Sequence, residues 1–477
     1  MTAQTILPAN SVTDTGYNVD NSVRFNSGDN CKISRTSPNS SPTNAKRFTI
    51  SFWVKRSNID AGSGHEHQQI FDSNDGSEGP NIQFQMYFTQ NTLRLQTYNG
   101  SNKMELVTNR LFRDISAWYS IIFSYDSTPS TPSASSVRLW INGVLETSFS
   151  TAVYPSQNTD GEFAIQNDIQ MIGNNTANTR DLGGYLAEVI GVDGQALVNT
   201  DFGEFDEDSG IFKPIDVSGI DVGTLGFYLD FEDSSALGND VSGVGDFTLV
   251  NLAAVDQSTD TCTNNFATLN PLSAGVGDVA RIPTFSEGNT KFTAAGSNTF
   301  YQAISTFGAA VGKWYFEVKV ASDQDLDKLR VGYWNIDKNV ASGEIQDVSA
   351  ANSGVFYMNK DGGEMRLNAT STTADYGTFG DNELMGVAID MDAQTITILK
   401  ANSVIVNAYD YSGGIAAGTV LTPAFMGYDD TAFQVNYGNP HEANSSDAAD
   451  GNSYGAFEFA PPSGYFSWCT KNLAEYG

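Results

Sequence analysis

The run Glu204-Phe205-Asp206-Glu207-Asp208 is the arrangement of residues best suited to chemistry in this sequence. On a β-strand its first, third and fifth carboxylates would share one face. A retaining glycosidase needs two carboxyl groups roughly 5 Å apart, so glycan hydrolysis is one interpretation. The third carboxylate is a short Asp and the run has loop character, which favours a solvated acidic loop. Calcium held by Asp206, Glu207 or Asp208 is a further alternative, because Ca²⁺ prefers oxygen ligands.

A second acidic segment, DSNDGSE at 72–78, contains Asp72 and Asp75. Its composition predicts a turn at the rim of a β-sandwich, where the two carboxylates could bind a ligand. The alternative is a polar hairpin tip. Just before it, His65 and His67 could share a face and hold zinc or nickel, but the nearby sequence offers no third ligand. An exposed loop is the simpler interpretation of that pair.

Aromatic residues next to polar ones suggest further binding positions. Trp53 and Trp140 alternate with the core-facing residues of their strands, so both point to the outer side of the sheet. There they could stack on a sugar ring, or pack beneath long loops. Other aromatic and polar pairs stand at predicted strand ends and suit adaptable loop contacts: Trp334 with Asn335, Asp375 with Tyr376, and Tyr428 with Asp429.

Signatures of common enzymes are missing from the sequence. It has three histidines, and it contains no Walker loop and no dinucleotide-binding fingerprint. Its GNSYG string at 451–455 matches GxSxG, but it lies in a predicted polar loop at 441–455 and not in a strand-to-helix elbow. We therefore expect no enzymatic activity and no required cofactor, with calcium as the one metal that the acidic loops could take.

The charge balance constrains the possible partners. The 477 residues include 25 Lys and Arg against 56 Asp and Glu, a net charge of −31. Such a charge repels phosphate backbones and anionic lipids, so we expect neither nucleic acid nor a membrane as partner. Three scattered cysteines predict no disulfide framework and fit synthesis in a reducing cytoplasm. No apolar run reaches membrane-spanning length, and the first residues do not resemble a signal peptide.

Alternating apolar residues recur along the chain, as in FTISFWV at 48–54, VRLWI at 137–141 and KWYFEVKV at 313–320. Asn142-Gly143 supplies a type I′ hairpin turn. The pattern predicts an all-β fold of two tandem antiparallel, jelly-roll-like β-sandwiches. The predicted divisions are an attachment segment at 1–19, a first sandwich at 20–231, a polar connector at 232–284, a second sandwich at 285–440, and a C-terminal loop and tail at 441–477 that packs on the second domain.

Two family resemblances cover most of the chain. Residues 20–231 resemble a laminin-G-like domain of the concanavalin-A-like lectin and glucanase superfamily, and residues 285–440 resemble a SPRY domain. The first resemblance depends on VRFNSGDN, FTISFWVKRS, WYSIIFSYD, VRLWINGV, LGGYLAEVIGVDGQAL and FYLDFED, and the second on GKWYFEVKV, LRVGYW, MGVAIDMDAQTITI, LTPAFMGY and FQVNYG.

The connecting segments resemble those of bacteriophage tail-fibre proteins with these two domains: SSALGNDVSGVGDFTLVNL, TNNFATLNPL and PPSGYFSWCTKNL. This resemblance implies a structural protein of the virion that binds a host surface glycan or protein through sandwich loops. It also implies contacts with other virion proteins and a homo-oligomer, for which a trimer is the common form among phage fibres. An architectural fibre without receptor binding and a glycan depolymerase are the alternatives.

Overall fold

The computed structural model describes residues 16–59, 66–76, 83–273, 282–294, 296, 298–322, 328–338, 344–360, 362–372 and 374–477. The prediction of an all-β fold with two tandem domains is confirmed, and the two compact units divide between Thr263 and Asn264. Within the described ranges, no helix combines the length and apolar composition needed to span a bilayer. Most of the segment predicted for attachment, and the tip of the 72–78 loop, lie outside the described residues.

The first unit is a sandwich of two antiparallel sheets of eight strands each. Sheet A has the order β10-β9-β8-β3-β13-β1-β18, with β16 also beside β13, and sheet B has the order β11-β7-β6-β5-β4-β12-β2-β17. The strands are β1 Ser22–Phe25, β2 Lys32–Thr36, β3 Arg47–Arg56, β4 His67–Asn74, β5 Gln83–Thr89, β6 Thr92–Tyr98, β7 Asn102–Thr108, β8 Tyr119–Asp126, β9 Val137–Ile141, β10 Val144–Leu145, β11 Phe149–Val153, β12 Ile169–Ile172, β13 Gly184–Asp193, β14 Gly203–Phe205, β15 Phe212–Pro214, β16 Phe227–Leu229, β17 Thr248–Val250 and β18 Gln257–Ser258.

Alternation within the strands produces the core of this sandwich. Phe48, Ile50 and Phe52 of β3 face Phe84 and its neighbours from β5, and all are buried. The hairpin between β9 and β10 also forms as expected. Asn142 and Gly143 have φ angles of 49° and 73°, and a type I′ turn requires positive φ at both positions.

A second apolar layer covers the outer face of sheet A. Trp53, Ile122, Trp140, Tyr185 and Ile190 project from the sheet, and Trp118, just before β8, joins them. Phe202, Phe212, Val217 and Val222 from the 197–222 segment pack on this layer. The short hairpin of β14 and β15 belongs to this cover. Sheet A is therefore buried on both faces.

The described parts of the segment predicted as a connector, 232–284, are instead built into one unit or the other. Strand β17 pairs with β2 and strand β18 pairs with β1 of the first unit, and Phe247 lies in its core. Phe266 is fully buried in the second unit. The Asp and Ser residues that suggested a linker form local turns, as where Asp240 Oδ1 accepts hydrogen bonds from the N–H and hydroxyl of Ser242.

The Arg35 guanidinium fastens this segment to the sandwich. Its Nη1 lies 3.1 Å from Asp240 Oδ2 and 2.6 Å from the carbonyl oxygen of Gly245, and its Nη2 donates to the carbonyls of Leu225 and Gly226. Its Nε donates to Gln170 Oε1. The side chains of Arg35 and Asp240 are 3% and 0% exposed.

The second unit has an eight-stranded and a six-stranded sheet, ordered β19-β20-β31-β22-β27-β28-β29 with β32 parallel to β22, and β21-β30-β23-β24-β25-β26. Its elements are β19 Thr284–Ser286, β20 Lys291–Thr293, β21 Phe300–Ile304, β22 Lys313–Ser322, β23 Arg330–Asn335, β24 Gly354–Met358, β25 Glu364–Leu367, β26 Thr370–Ser371, β27 Leu384–Asp390, β28 Thr395–Lys400, β29 Ser403–Asp410, β30 Leu421–Tyr428, β31 Ala432–Asn436, β32 Phe466–Ser467 and the helix α1 Thr470–Tyr476. Short 3₁₀ turns occur at Asn199–Asp201, Ala254–Asp256, Glu287–Asn289 and Ile345–Asp347.

The tail from 441 to 477 packs against the second unit. Trp468 stacks on Trp314 with ring centroids 4.8 Å apart. The buried Glu317 carboxylate of β22 accepts hydrogen bonds from the N–H groups of Glu458 and Phe459. These contacts hold the tail through both an apolar and a polar interaction.

We expect Asp240→Asn to destabilise the first unit by about 3–5 kcal/mol, because it leaves the buried Arg35 cation without its counter-charge. The measurement is urea unfolding followed by fluorescence. The matched control is Asp160→Asn, which breaks the exposed pair with Lys46 and should cost at most about 1 kcal/mol. Equal losses in the two variants would contradict this account of Arg35.

Candidate functional site

The acidic run at 204–208 does not form a carboxylate ladder. Strand β14 ends at Phe205, and Asp206 begins the turn that leads to β15. Asp206 Oδ1 accepts hydrogen bonds from the N–H and hydroxyl of Ser209, which lower its pKa, and Lys213 lies 3.6 Å from Oδ2. Among the described residues no group of three or more His, Cys, Asp or Glu could hold a metal, so Asp206, Glu207 and Asp208 form no such group.

Trp53 and Trp140 point to the outer side of sheet A, as their alternation predicts, but they do not reach solvent. Their exposed fractions are 7% and 6%, and Phe212 packs against Trp53 at a ring-centroid distance of 6.2 Å. The expectation that they stack on a sugar is therefore wrong. The alternative, packing beneath a long loop, describes both residues.

The acidic loop near 72–78 is divided by the end of a strand. Asp72 lies within β4 and is buried, whereas Asp75 follows the strand and is exposed. The expected pair at one loop tip does not form, because Asp72 belongs to the outer face of sheet B. His67 begins β4, and its former partner in the histidine pair, His65, lies outside the described residues.

Two of the residues predicted for the second unit are structural. Trp334 is 1% exposed and packs with Ile345, Phe356 and Met426 on the outer face of the six-stranded sheet. Asn335 is also buried, and its side chain donates to the carbonyl of Asn352 and accepts from the N–H of Asp337. Neither is available for the loop contacts predicted for it.

The other predicted pairs in the second unit keep some exposure. Tyr428 is half-buried, with the Phe300 ring 5.0 Å away edge-on and Lys328 Nζ 3.9 Å from its centroid. Asp429 follows it at the end of β30. Asp375 is exposed, and the N–H of Tyr376 donates to the carbonyl of Gly363 beside β25. Strands β23 and β24 separate β30 from β25, so the sheet order does not place the two pairs side by side.

The outer face of sheet B carries a polar surface that the sequence interpretation missed. One cross-strand row runs from Asp72 through Gln85 and Gln96 to Glu105, and the next runs from Gln69 through Tyr87 to Arg94. These positions alternate with core residues such as Phe84, Met86 and Leu95. We call this surface the Tyr87 face and define it by Gln69, Asp72, Gln85, Tyr87, Arg94, Gln96, Glu105 and Arg180. Arg94, Gln96, Glu105 and Arg180 are partly exposed and form its accessible part, whereas Gln69, Asp72, Gln85 and Tyr87 are buried and support them.

Arg180 reaches the Tyr87 face from the loop between β12 and β13. Its guanidinium carbon lies 4.6 Å from the centroid of the Tyr87 ring, and Nη1 lies 3.2 Å from both Gln69 Oε1 and Gln85 Oε1. Arg94 lies 5.8 Å from the same ring and pairs with Glu105 at 2.7 Å. The side chains are thus held in place by one another.

Burial is the largest cause of the pKa shifts at this face, and the two guanidinium groups modify them. Burial lowers the pKa of His67, and the charges of Arg180 and Arg94 lower it further. Burial also raises the pKa of Tyr87. His67 Nδ1 and Arg94 Nε are buried and have no hydrogen-bond partner within the described part of the chain. These two buried atoms lie beneath the solvent boundary, so the hydrogen-bonding groups that the face offers to a ligand are those of its partly exposed side chains.

The partly exposed members of the Tyr87 face, Arg94, Gln96, Glu105 and Arg180, can bind a polyhydroxylated ligand. Amide, carboxylate and guanidinium groups together donate and accept hydrogen bonds, as sugar hydroxyls also do. The signal in the sequence was the polar set of the alternation, Gln83-Gln85-Tyr87 and Arg94-Gln96-Tyr98. Arg180 could not be assigned in this way, because a loop brings it to the sheet.

Comparisons with known proteins support the two domains. Residues 26–191 match the family model of the concanavalin A-like lectin/glucanases superfamily, and residues 313–440 match that of the SPRY domain. The expected laminin-G-like and SPRY-like sandwiches are thereby confirmed. No curated protein matches the chain.

Solved structures with some similarity include the SPRY domain of human HERC1, with 15% identity, 35% of this chain and 96% of that chain covered, and a TM-score of 0.28. Mouse laminin alpha1 chain domains LG4-5 have 10% identity and a TM-score of 0.30, with 89% of this chain and 90% of that chain covered. A putative carbohydrate binding protein from Bacteroides ovatus has 14% identity and a TM-score of 0.34, with 49% of this chain and 58% of that chain covered.

On the covered side of sheet A, one buried carboxyl group titrates near neutrality. Glu188 sits in a bulge of β13 with φ of 50°, and its Oε2 accepts a 2.8 Å hydrogen bond from Tyr228. Burial raises its pKa from 4.5 to about 7, and the charges of Asp230, Glu232 and Asp216 add to the effect. Between these two pH values the folded chain keeps a proton that the unfolded chain has lost, so the stability falls as the pH rises through this window.

We expect Glu188→Gln to stabilise the protein above pH 7 by on the order of 2–3 kcal/mol, because it removes the buried charge and keeps an acceptor for Tyr228. The gain should shrink as the pH falls and disappear below the ordinary pKa of Glu. Urea unfolding over a pH series measures it. The exposed Glu207→Gln is the control and should change nothing. A gain independent of pH would contradict the raised pKa.

Proposed function

We propose that this chain is a structural fibre protein of a tailed-bacteriophage virion and that it binds a host surface glycan through the Tyr87 face. The observation that carries the proposal is the ordered polar array on the outer face of sheet B. The partly exposed Arg180 is fixed by hydrogen bonds to the buried side chains of Gln69 and Gln85. Binding of a ligand there costs the protein little side-chain entropy, because the side chains are already ordered.

The contrast between the two sheets of the first unit supports this choice of surface. The outer face of sheet A is covered by apolar residues, whereas Arg94, Gln96 and Glu105 of sheet B remain partly exposed. A sandwich that needed sheet B only for stability could carry short polar residues there. Long amide and guanidinium side chains in cross-strand rows instead offer many hydrogen bonds to a sugar.

The assignment to a virion fibre is supported by the connecting segments and by the order of the two domains. The half-buried Tyr428, with Asp429 at the end of β30, is a second contact surface on this proposal. The fibre would assemble as a homo-oligomer with other virion proteins. It would require no cofactor, and the net charge of −31 would keep it away from nucleic acid and anionic membranes.

We expect Gln96→Trp to weaken glycan binding at least about tenfold, because a bulky ring at the centre of the Tyr87 face blocks it. Binding of the purified full chain to arrayed bacterial surface polysaccharides measures the effect. Gln157→Trp is the control, because it makes the same change in a loop where the Gln157 side chain donates to the carbonyl of Thr128. This variant should bind glycan as the wild type does. Thermal unfolding of both variants verifies that each is folded. Equal binding by the two variants would remove the Tyr87 face from the proposal.

Placement in a particle is a separate expectation. Gold-labelled antibodies against the chain should decorate the tail fibres of purified tailed particles in electron micrographs. Labelling at capsid vertices with no polysaccharide binding would favour the architectural alternative. Absence of the chain from purified particles would refute the virion assignment while leaving the glycan measurement to stand by itself.

A further inference from the structure

Lys55 and Asp260 form an ion pair sealed inside the first unit. Lys55 lies near the end of β3, Asp260 follows β18, and 205 positions separate them in the sequence. Lys55 Nζ is 2.6 Å from Asp260 Oδ2, and the two side chains are 1% and 0% exposed. Neither residue belongs to the Tyr87 face, so glycan binding does not account for the pair.

The surroundings of this pair are aromatic and closely fitted. Trp118 Nε1 donates a 2.9 Å hydrogen bond to Asp260 Oδ1, and the Tyr185 ring centroid lies 5.8 Å from Lys55 Nζ. The Asp260 backbone is held as well, because its carbonyl accepts from Ser22 Oγ and its N–H donates to Ser258 Oγ. These contacts restrain the amine and the carboxyl group in direct contact with each other.

Burial also disfavours the charged form of Lys55. Desolvation lowers the pKa of Lys55, against the opposing effects of the Asp260 charge and hydrogen bond and of the Asp114 charge. Moving the proton from Nζ to Oδ2 replaces two buried charges by a neutral amine and a neutral acid. These are the reactive forms of the two groups for amide formation.

We propose that Lys55 and Asp260 condense into an intramolecular isopeptide bond. The lone pair of the neutral Nζ attacks Cγ of the protonated Asp260, which forms the C–N bond and places negative charge on Oδ1. Trp118 Nε1 already donates to that oxygen and stabilises the charge. A proton from Nζ passes to Oδ2, the C–O bond breaks, and one water leaves. Nothing is oxidised or reduced, and no further reactant is needed.

The cross-link would change what the first unit can withstand. It would join β3 to the segment after β18 and so close a covalent loop around most of the sandwich. A cross-link over such a long loop strongly restricts the unfolded chain. A force applied through residues outside 55–260 could not extend the residues between them.

The test is the intact mass of the full chain after denaturation. We expect a mass lower than the sequence mass by one water, about 18 Da, in nearly all molecules. Tandem mass spectrometry of a digest should recover one branched peptide that joins Lys55 to Asp260. Lys55→Arg keeps the charge without the amine and should show the full mass, as should Asp260→Ala. Lys46→Arg, at the exposed pair with Asp160, should keep the deficit.

Trp118→Phe tests the stabilising hydrogen bond independently. It should slow cross-linking on the order of 100-fold, which leaves un-linked chain that matures over time. The proposal is overturned if the wild-type chain, fresh and after long incubation, has the full mass and its Lys55 reacts with an amine reagent once unfolded. It is equally overturned if the missing water maps to a succinimide at an Asp-Gly step, such as Asp160-Gly161 or Asp193-Gly194.

Discussion

The first unit depends on the rule that a charge removed from water must meet a partner. Arg35 obeys it by gathering a carboxylate, an amide and three carbonyls from segments far apart in the sequence. Displacement of the 225–245 segment would remove acceptors from the buried Arg35 cation. These hydrogen bonds therefore fix the position of the segment on the sandwich. In the second unit the buried Glu317 works in the same way and holds the tail by two backbone N–H groups. Two buried charged residues thus hold the 225–245 segment and the C-terminal tail in place.

The sandwich architecture was predictable because its signals are local. Alternation along β3 or β22 and the Asn142-Gly143 turn each lie within a few residues, and each formed as expected. The outer layer of sheet A was not predictable in this way. The alternation places Trp53 on the outer side, but only the fold shows that Phe212, some 160 positions later, covers it. The prediction of a connector at 232–284 was wrong for the same reason. The few apolar residues of this segment pack against residues that are distant in the sequence.

The candidate site shows the same division between local and distant information. The polar rows of β5 and β6 are readable from the sequence, since Gln85 and Tyr87 alternate with core residues. Arg180, which organises the face, comes from a loop whose course no periodic pattern describes. The acidic run at 204–208 drew attention through composition alone. Its hydrogen bonds are those of an ordinary turn, because a strand that ends at Phe205 cannot keep its carboxylates in line.

Strand β1 has a consequence for how the chain reaches this state. It lies between β13 and β18, and Val23 is in register with both Leu186 and Gln257. At ribosomal speeds of 5–20 residues per second, β1 emerges roughly 10–50 s before β18 exists. During that interval the edge of β1 that β18 later covers is open to other nascent chains. Topology of this kind makes folding slow and exposes it to aggregation, so productive yield should depend on synthesis rate and on chaperones more than on final stability.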